Sequence, residues 1–232
     1  MKKTLPSLLT FLSLVSSFSA IILAIREAFV FAGLLILAGN ILDTLDGEVA
    51  RRLGVTSAFG LQLDSLVDAV TFGVAPGVLT YQYLHYVGFN AVLSWATCVL
   101  YLVAGVFRLA RFNLLPPKDS FRDSLGLTIS TSGAVVVFAV LANYTNDDLL
   151  LPAVVYPLLM IALALLMCSR IRFPSIAAIL QWRRTCLTVL SVVAILSILL
   201  SPPLVILGLV AFYILFGLAR AAYQSIPART RS

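Results

Sequence analysis

The sequence predicts an all-α, polytopic transmembrane bundle of about eight helices, and three observations carry that prediction. Of the 232 residues, 61% are hydrophobic and 11% are charged, whereas a soluble domain carries about 25% charged residues. The mean hydropathy is +1.05, and the apolar residues fall into runs near the length at which a helix crosses a hydrocarbon core about 30 Å thick. The basic residues sit asymmetrically at alternate ends of those runs, as in a chain whose orientation they set.

Taken in order, helices are expected over 7–25, 28–47, 60–84, 88–107, 125–145, 148–168, 184–200 and 202–222. The first follows Lys2 and Lys3. It is too long for a signal peptide and lacks a small-residue cleavage pattern before Arg26 and Glu27, so it is expected to remain as a span. The breaks are short and carry turn residues, as at His85–Gly88, Asn143–Asp148 and Ser201-Pro202-Pro203. The longest polar loops cover 112–124 and 169–183, and the basic, partly apolar stretch 172–184 is expected to lie along the membrane interface. The last helix ends near Ala219 and Arg220, with Tyr223 as an interfacial anchor. With no linker or internal repeat to divide it, residues 1–232 read as one membrane domain. Cys98, Cys168 and Cys186 lack metal-ligand spacing and read as small reduced hydrophobes.

A formal charge of +6 raises the possibility of nucleic-acid binding, but its placement excludes that class. With an even number of spans, one side of the membrane collects Lys2, Lys3, Arg51, Arg52, Arg108, Arg111, Lys118, Arg122, Arg170, Arg172, Arg183, Arg184, Arg220, Arg229 and Arg231, and the other only Arg26. This asymmetry orients both termini toward the cytoplasm. The same cations suit anionic lipid headgroups and nucleotide phosphates, so a water-soluble substrate is expected from the cytoplasmic side.

Of ten acidic residues in the whole chain, Asp43, Asp46, Asp64 and Asp68 fall in or at the ends of the second and third helices. An ionisable group inside a span costs about 2.5–3.5 kcal/mol on insertion scales and marks a functional site. Asp43, Asp46, Gly47 and Ala50 run i, i+3, i+4, i+7 along one helix face, with Arg51 beside it. Asp64 and Asp68 are i, i+4, with Gly60 one turn earlier. A short connection makes the two helices antiparallel neighbours, so their acidic faces can converge near the cytoplasmic surface. Four carboxylates around one point repel unless cations lie among them, and hard cations such as Mg²⁺ and Mn²⁺ prefer oxygen ligands. The pattern therefore points to a two-metal site of the kind that suits phosphoryl transfer, with one carboxylate free to take a proton from an acceptor hydroxyl. Gly47, Ala50 and Gly60 would leave room for a nucleotide against the backbone. Two other readings fit the spacing alone: an ion-paired cluster in which Asp43 or Asp46 bonds Arg51 or Arg52, and a cation-coupled transporter using the carboxylates as an ion relay.

The run Asp43-x2-Asp46-Gly47-x2-Ala50-Arg51-x8-Gly60-x3-Asp64-x3-Asp68 resembles the signature of the CDP-alcohol phosphatidyltransferase family at all eight fixed positions. The resemblance implies that Asp43, Asp46 and Asp64 hold metal, that Asp68 binds the second of two ions, Mg²⁺ or Mn²⁺, and serves as general base, and that Gly47, Arg51 and Ser57 hold the CDP portion. The implied reaction is attack of an acceptor hydroxyl on the lipid-linked phosphorus with release of CMP. Further stretches are similar to the serine-using branch, whose members make phosphatidylserine or its archaeal equivalent. These are Leu63-Asp64-Ser65-Leu66 with Asp68 and Phe72-Gly73-Val74-Ala75-Pro76, then Arg108-Leu109-Ala110-Arg111-Phe112-Asn113, and Ser169-Arg170-Ile171-Arg172-Phe173-Pro174-Ser175. They imply phospholipid synthesis from CDP-diacylglycerol or CDP-archaeol with L-serine as acceptor. Glycerol 3-phosphate, inositol phosphate or another small alcohol remain alternative acceptors. Arg108 and Arg111, one turn apart, would bind the serine carboxylate or a lipid phosphate, unless they serve only as cytoplasmic helix-end anchors. Relatives further imply a homodimer embedded among membrane lipids. The chain departs from the branch where relatives carry Asn in the first helix and this sequence has Leu5-Pro6-Ser7-Leu8-Leu9-Thr10 and then Ser13. It departs again at Gly126-Leu127-Thr128, where they carry Gly-Leu-Pro.

Overall fold

The structure is a computed structural model that describes residues 5–54, 57–114, 123–146, 151–174 and 201–225. Its helices are α1 (Leu5–Ile25), α2 (Phe29–Leu53), α3 (Ala58–Asp68), α4 (Ala75–Tyr86), α5 (Ala91–Asn113), α6 (Ile129–Tyr144), α7 (Val155–Cys168) and α8 (Pro202–Ser225). A π-helical segment, Ala69–Val74, joins α3 to α4 without a break. The helix expected over 184–200 and the interfacial stretch 175–184 lie outside the described residues. Among the described residues, five helices are long and apolar enough to cross a membrane, the α3–α4 rod Ala58–Tyr86 counted as one. The protein is an integral membrane protein. At about 1.5 Å per residue, that 29-residue rod is about 43 Å long. It exceeds a hydrocarbon core of about 30 Å, so one end can stand in the interfacial zone.

Local chemistry explains the element ends. Gly54, at φ 63°, closes α2 by returning its N–H to the carbonyls of Ala50 and Arg51, a left-handed cap that glycine adopts without a Cβ clash. The hydroxyl of Ser57 caps α3 by accepting from the Gly60 N–H at 3.0 Å. Asn90 caps α5 through Leu93 N–H at 2.9 Å. Helices α6 and α7 are shorter than the expected 125–145 and 148–168. Thr128 caps α6 by accepting from Thr131 N–H, and the residues before it form β1 (Asp123–Leu125), paired antiparallel with β2 (Arg172–Pro174). Hydropathy alone could not separate these last residues from the helix that follows.

The π segment has an identifiable cause. Pro76 has no N–H to offer the carbonyl four residues back and its ring crowds that carbonyl, so Phe72 is released from the helical ladder. Tyr101, fully buried, donates its hydroxyl to Phe72 O at 2.8 Å. Gly133 of α6 lets that helix pack on the same turn, since a Cβ there would lie 3.2 Å from Phe72 O. Most of α6 is buried, which makes it the central helix.

The apolar core has two parts. One joins α1, α2, α4 and α6 with the start of α7 around Ala24, Phe29, Leu84, Leu141 and Tyr156. It ends in an aromatic cluster in which Phe29 meets Tyr83, Tyr86 and Tyr144 edge-on. The other joins the π segment, α5, α6 and α7, with α8 packed against it. The four aspartates lie in the halves of α2 and the α3–α4 rod away from the aromatic cluster.

Between α1, α2 and the π segment runs a buried hydroxyl seam. Ser13 Oγ donates to Gly39 O at 3.0 Å, Ser17 Oγ donates to Ser13 O at 2.8 Å and lies 2.8 Å from Thr71 Oγ1. Small polar residues of this kind let helices approach closely in lipid.

Tyr101→Phe should strand the Phe72 carbonyl, an effect of about 1–3 kcal/mol. Thermal unfolding in detergent should show a lower midpoint; an unchanged midpoint would mean that the carbonyl does not depend on Tyr101.

Candidate active site

The helical spacing of the acidic residues becomes a single constellation once the α3–α4 rod lies against α2. Asp43, Asp64 and Asp68 each present a carboxylate oxygen, and the three oxygens lie within 4.8 Å of one another. That is close enough for one cation to touch all three. Oδ1 of Asp43 and Oδ1 of Asp68 are buried and have no hydrogen-bond partner among the described residues. A buried anionic oxygen without a donor is costly. The hard oxygen donors present here, converging and unsatisfied, fit a divalent cation such as Mg²⁺ or Mn²⁺.

Asp46 is placed differently. It is buried, and its Oδ2 accepts a 2.6 Å hydrogen bond from Thr10 of α1, in the range of a charge-assisted O–H···O⁻ bond. Thr10 has a longer alternative in Pro6 O at 3.1 Å. Asp46 and Asp64 instead share a cavity of about 210 Å³ with Pro6, Ser7, Thr10, Gly47, Ala50, Arg51, Ser57, Gly60 and Leu61. Every residue that the sequence reading assigned to the CDP portion is on that wall. The space is several times the roughly 30 Å³ share of a water molecule, enough to admit part of a polar headgroup. Added to Gly47, a Cβ would find only Arg51 Nη1 near it, at 3.5 Å, and on Gly60 only Ser57 Oγ, at 3.2 Å. Side chains at either glycine would therefore fill the cavity itself. Ser57 spends its acceptor on the α3 cap, which leaves its hydroxyl proton to donate.

The arginines divide. Arg51 Nη2 and Arg52 Nε bond the two oxygens of Glu48 at 3.0 and 2.7 Å, so among the described residues these cations pair with Glu48 rather than with the aspartates, unlike the ion-paired cluster that the spacing allowed. Arg108 is buried, its guanidinium carbon lies 5.9 Å from the centre of the Phe112 ring, and its charge interacts with that of Asp68. Arg111, one turn on, bonds backbone carbonyls at the end of α7 and in β1. The structure thus brings Arg108 to the carboxylates and engages Arg111 elsewhere. Asn113 Nδ2 donates to Ser65 Oγ at 2.9 Å, tying the end of α5 to α3 next to Asp64.

Ser7 and Thr10 entered the sequence analysis only within a stretch that departs from the serine-using branch, with no role assigned to either. A signal for Thr10 existed: Thr10, Ser13 and Ser17 fall at i, i+3, i+7 on an otherwise apolar helix, a polar stripe that needs partners in lipid. Thr10→Val keeps the volume and removes the donor. It should weaken binding of a cytidine nucleotide to the metal-loaded protein about tenfold, as loss of a hydrogen bond to a charged group implies, while Thr10→Ser stays near wild type. Titration calorimetry distinguishes these outcomes, and equal affinities for all three proteins would detach Thr10 from the site.

A family model described as CDP-alcohol phosphatidyltransferase matches residues 3–190. The chain is 34% identical over 224 residues to the CDP-diacylglycerol–serine O-phosphatidyltransferase of Helicobacter pylori, covering 93% of this chain and 90% of that protein. It is 36% identical over 141 residues to the protein of that name from Methanocaldococcus jannaschii, covering 60% and 62%. It is 33% identical over 174 residues to the archaetidylserine synthase of Methanothermobacter thermautotrophicus, covering 74% and 70%. With the family match spanning most of its length and the eight signature residues gathered around one carboxylate cluster and cavity, the chain belongs to the CDP-alcohol phosphatidyltransferase family.

Proposed function

We propose that this enzyme transfers a phosphatidyl group from CDP-diacylglycerol, or the corresponding archaeol lipid from CDP-archaeol, to the hydroxyl of L-serine and releases CMP. The observation that carries this reading is the adjacency of two features, a three-carboxylate cluster and a glycine-walled cavity sharing Asp64. The activities for which the relatives are named supply the acceptor.

Asp43, Asp64 and Asp68 would hold the divalent cations, with Asp46 joining from the cavity side. When bound, such cations neutralise phosphate oxygens and stabilise the attacking and leaving oxygens together. The nucleotide lies along Gly47, Ala50 and Gly60, where the absence of larger side chains lets it reach the backbone. Arg51 and Ser57 line the same cavity and donate to the diphosphate, the arginine through a planar fork suited to paired bonds. Asp68 takes the proton of the serine hydroxyl as that oxygen bonds to the lipid-side phosphorus. The bond from that phosphorus to the bridging oxygen breaks, and CMP departs with the electron pair. Arg108, buried beside Asp68, offers its charge to the serine carboxylate.

The aspartate end faces the cytoplasm in this reading. Arg51, Arg52, Arg108 and Arg111 stand at that end of the helices and Arg26 at the other, the bias that orients membrane chains.

Purified protein in detergent with Mn²⁺ or Mg²⁺ should release CMP from CDP-diacylglycerol when L-serine is added, and EDTA should abolish release. Asp68→Asn should retain CDP-lipid binding and lose most turnover. Release driven instead by glycerol 3-phosphate or inositol phosphate would replace the acceptor, and near-normal rates in Asp68→Asn would remove its role as base.

A further inference from the structure

We infer that Arg111 is a positioning residue: it latches the end of α5 to the end of α7, and through that latch sets Arg108 against Asp68. The inference rests on the proposed function for its kinetic readout, not for its geometry.

Both terminal nitrogens of Arg111 are engaged. Nη1 donates to Cys168 O at 3.0 Å, while Nη2 contacts Leu125 O at 3.0 Å, Ser169 O at 3.1 Å and Met167 O at 3.3 Å. Three of these four carbonyls lie at the C-terminal end of α7, where a helix leaves its last carbonyls without intrahelical donors and carries partial negative charge. Helix α7 has no basic residue in its own last turn. Arg111 supplies that charge and those donors from a neighbouring helix. A substrate carboxylate that took Nη2 would displace the carbonyls of Leu125, Met167 and Ser169 and leave them short of a donor.

The opposite wall of the latch is equally specific. Gly126 has φ 75°, and a Cβ on it would lie 2.5 Å from Met167 O, 3.0 Å from Arg111 Nη2 and 3.1 Å from Ser169 O. Its N–H donates to Ile171 O at 2.8 Å, next to the β1–β2 ribbon. Any larger residue would push into the contacts that Arg111 makes. On the other side of α5, Asn113 holds Ser65 of α3. The last turn of α5 is therefore fixed from two directions, and Arg108, one turn before Arg111, inherits that placement at 6% exposure.

The test uses full-length protein in detergent, with melting temperature, kcat and separate KM values for serine and CDP-diacylglycerol. Arg111→Lys keeps the charge but not the planar fork, and Gly126→Ala crowds the latch from the other side. Both should lower the melting temperature and raise the serine KM about tenfold or more, with the CDP-diacylglycerol KM within about twofold of wild type. In an Arg108→Lys background, adding Arg111→Lys should leave the serine KM unchanged, because the effect passes through Arg108. Arg111→Gln replaces either single variant that fails to accumulate. A raised serine KM in Arg111→Lys with an unchanged melting temperature and a normal Gly126→Ala would make Arg111 a direct ligand and overturn the inference. A lowered melting temperature with both KM values unchanged would reduce it to a brace, which also overturns it. Wild-type protein that ignores serine but uses another acceptor would overturn the acceptor assignment alone, and the latch would be read with that acceptor.

Discussion

Three carboxylate oxygens within 4.8 Å of one another, in helices that otherwise belong to a hydrocarbon-bounded bundle, repel strongly where little water is present to screen them, and the neighbouring structure is arranged around that constraint. The cluster stands in the half of α2 that carries Arg51 and Arg52 and the half of the α3–α4 rod next to its Ser57 cap, and charge in a span costs most when it lies near the middle. The rod that carries Asp64 and Asp68 is long enough to place them near the interface, and its register changes immediately beyond Asp68 through the π segment, a feature often found beside functional sites. Arg108 is a buried cation whose charge acts on Asp68, and it comes from α5, a helix anchored at both sides of its last turn.

The hydroxyls of α1 connect packing to chemistry. Ser13 and Ser17 join α1 to Gly39 of α2 and Thr71 of the π segment, and a Cβ at Gly39 would come within 3.0 Å of Ser17 Oγ. That close approach brings the next hydroxyl along the same stripe, Thr10, onto Asp46. One polar line on an apolar helix thus both seats α1 in the bundle and orients a cavity carboxylate. This bond distinguishes Asp46 from Asp43 and Asp68: its oxygen has a donor, whereas Asp43 and Asp68 each keep a buried oxygen without one among the described residues.

Much of this was legible in the sequence, because hydropathy length and helical spacing are local properties. The spans with long apolar runs appear where expected, and the i, i+3, i+4, i+7 face of α2 and the i, i+4 pair of α3 converge as their periodicity requires. The rest depends on partners distant in sequence. Arg108 and Arg111 look equivalent along the chain, yet one lies beside Asp68 and the other caps α7 some 57 residues away. Leu125 and Gly126 look like the start of an apolar helix, but pairing with residues 171–172 and the positive φ of Gly126 keep them out of it. The π segment needed both Pro76 and a hydroxyl from α5 to be foreseen.

The affinity of the purified protein for Mn²⁺, followed by electron paramagnetic resonance, tests the carboxylate cluster most directly. Asp64→Asn removes one anionic ligand while keeping its size, and Glu48→Gln alters a nearby acid that pairs with Arg51 and Arg52 instead. A cation site built on Asp43, Asp64 and Asp68 requires Asp64→Asn to weaken Mn²⁺ binding about tenfold or more, given oxygen-ligand chemistry, with Glu48→Gln unchanged. Equal affinity in Asp64→Asn and wild type would contradict it.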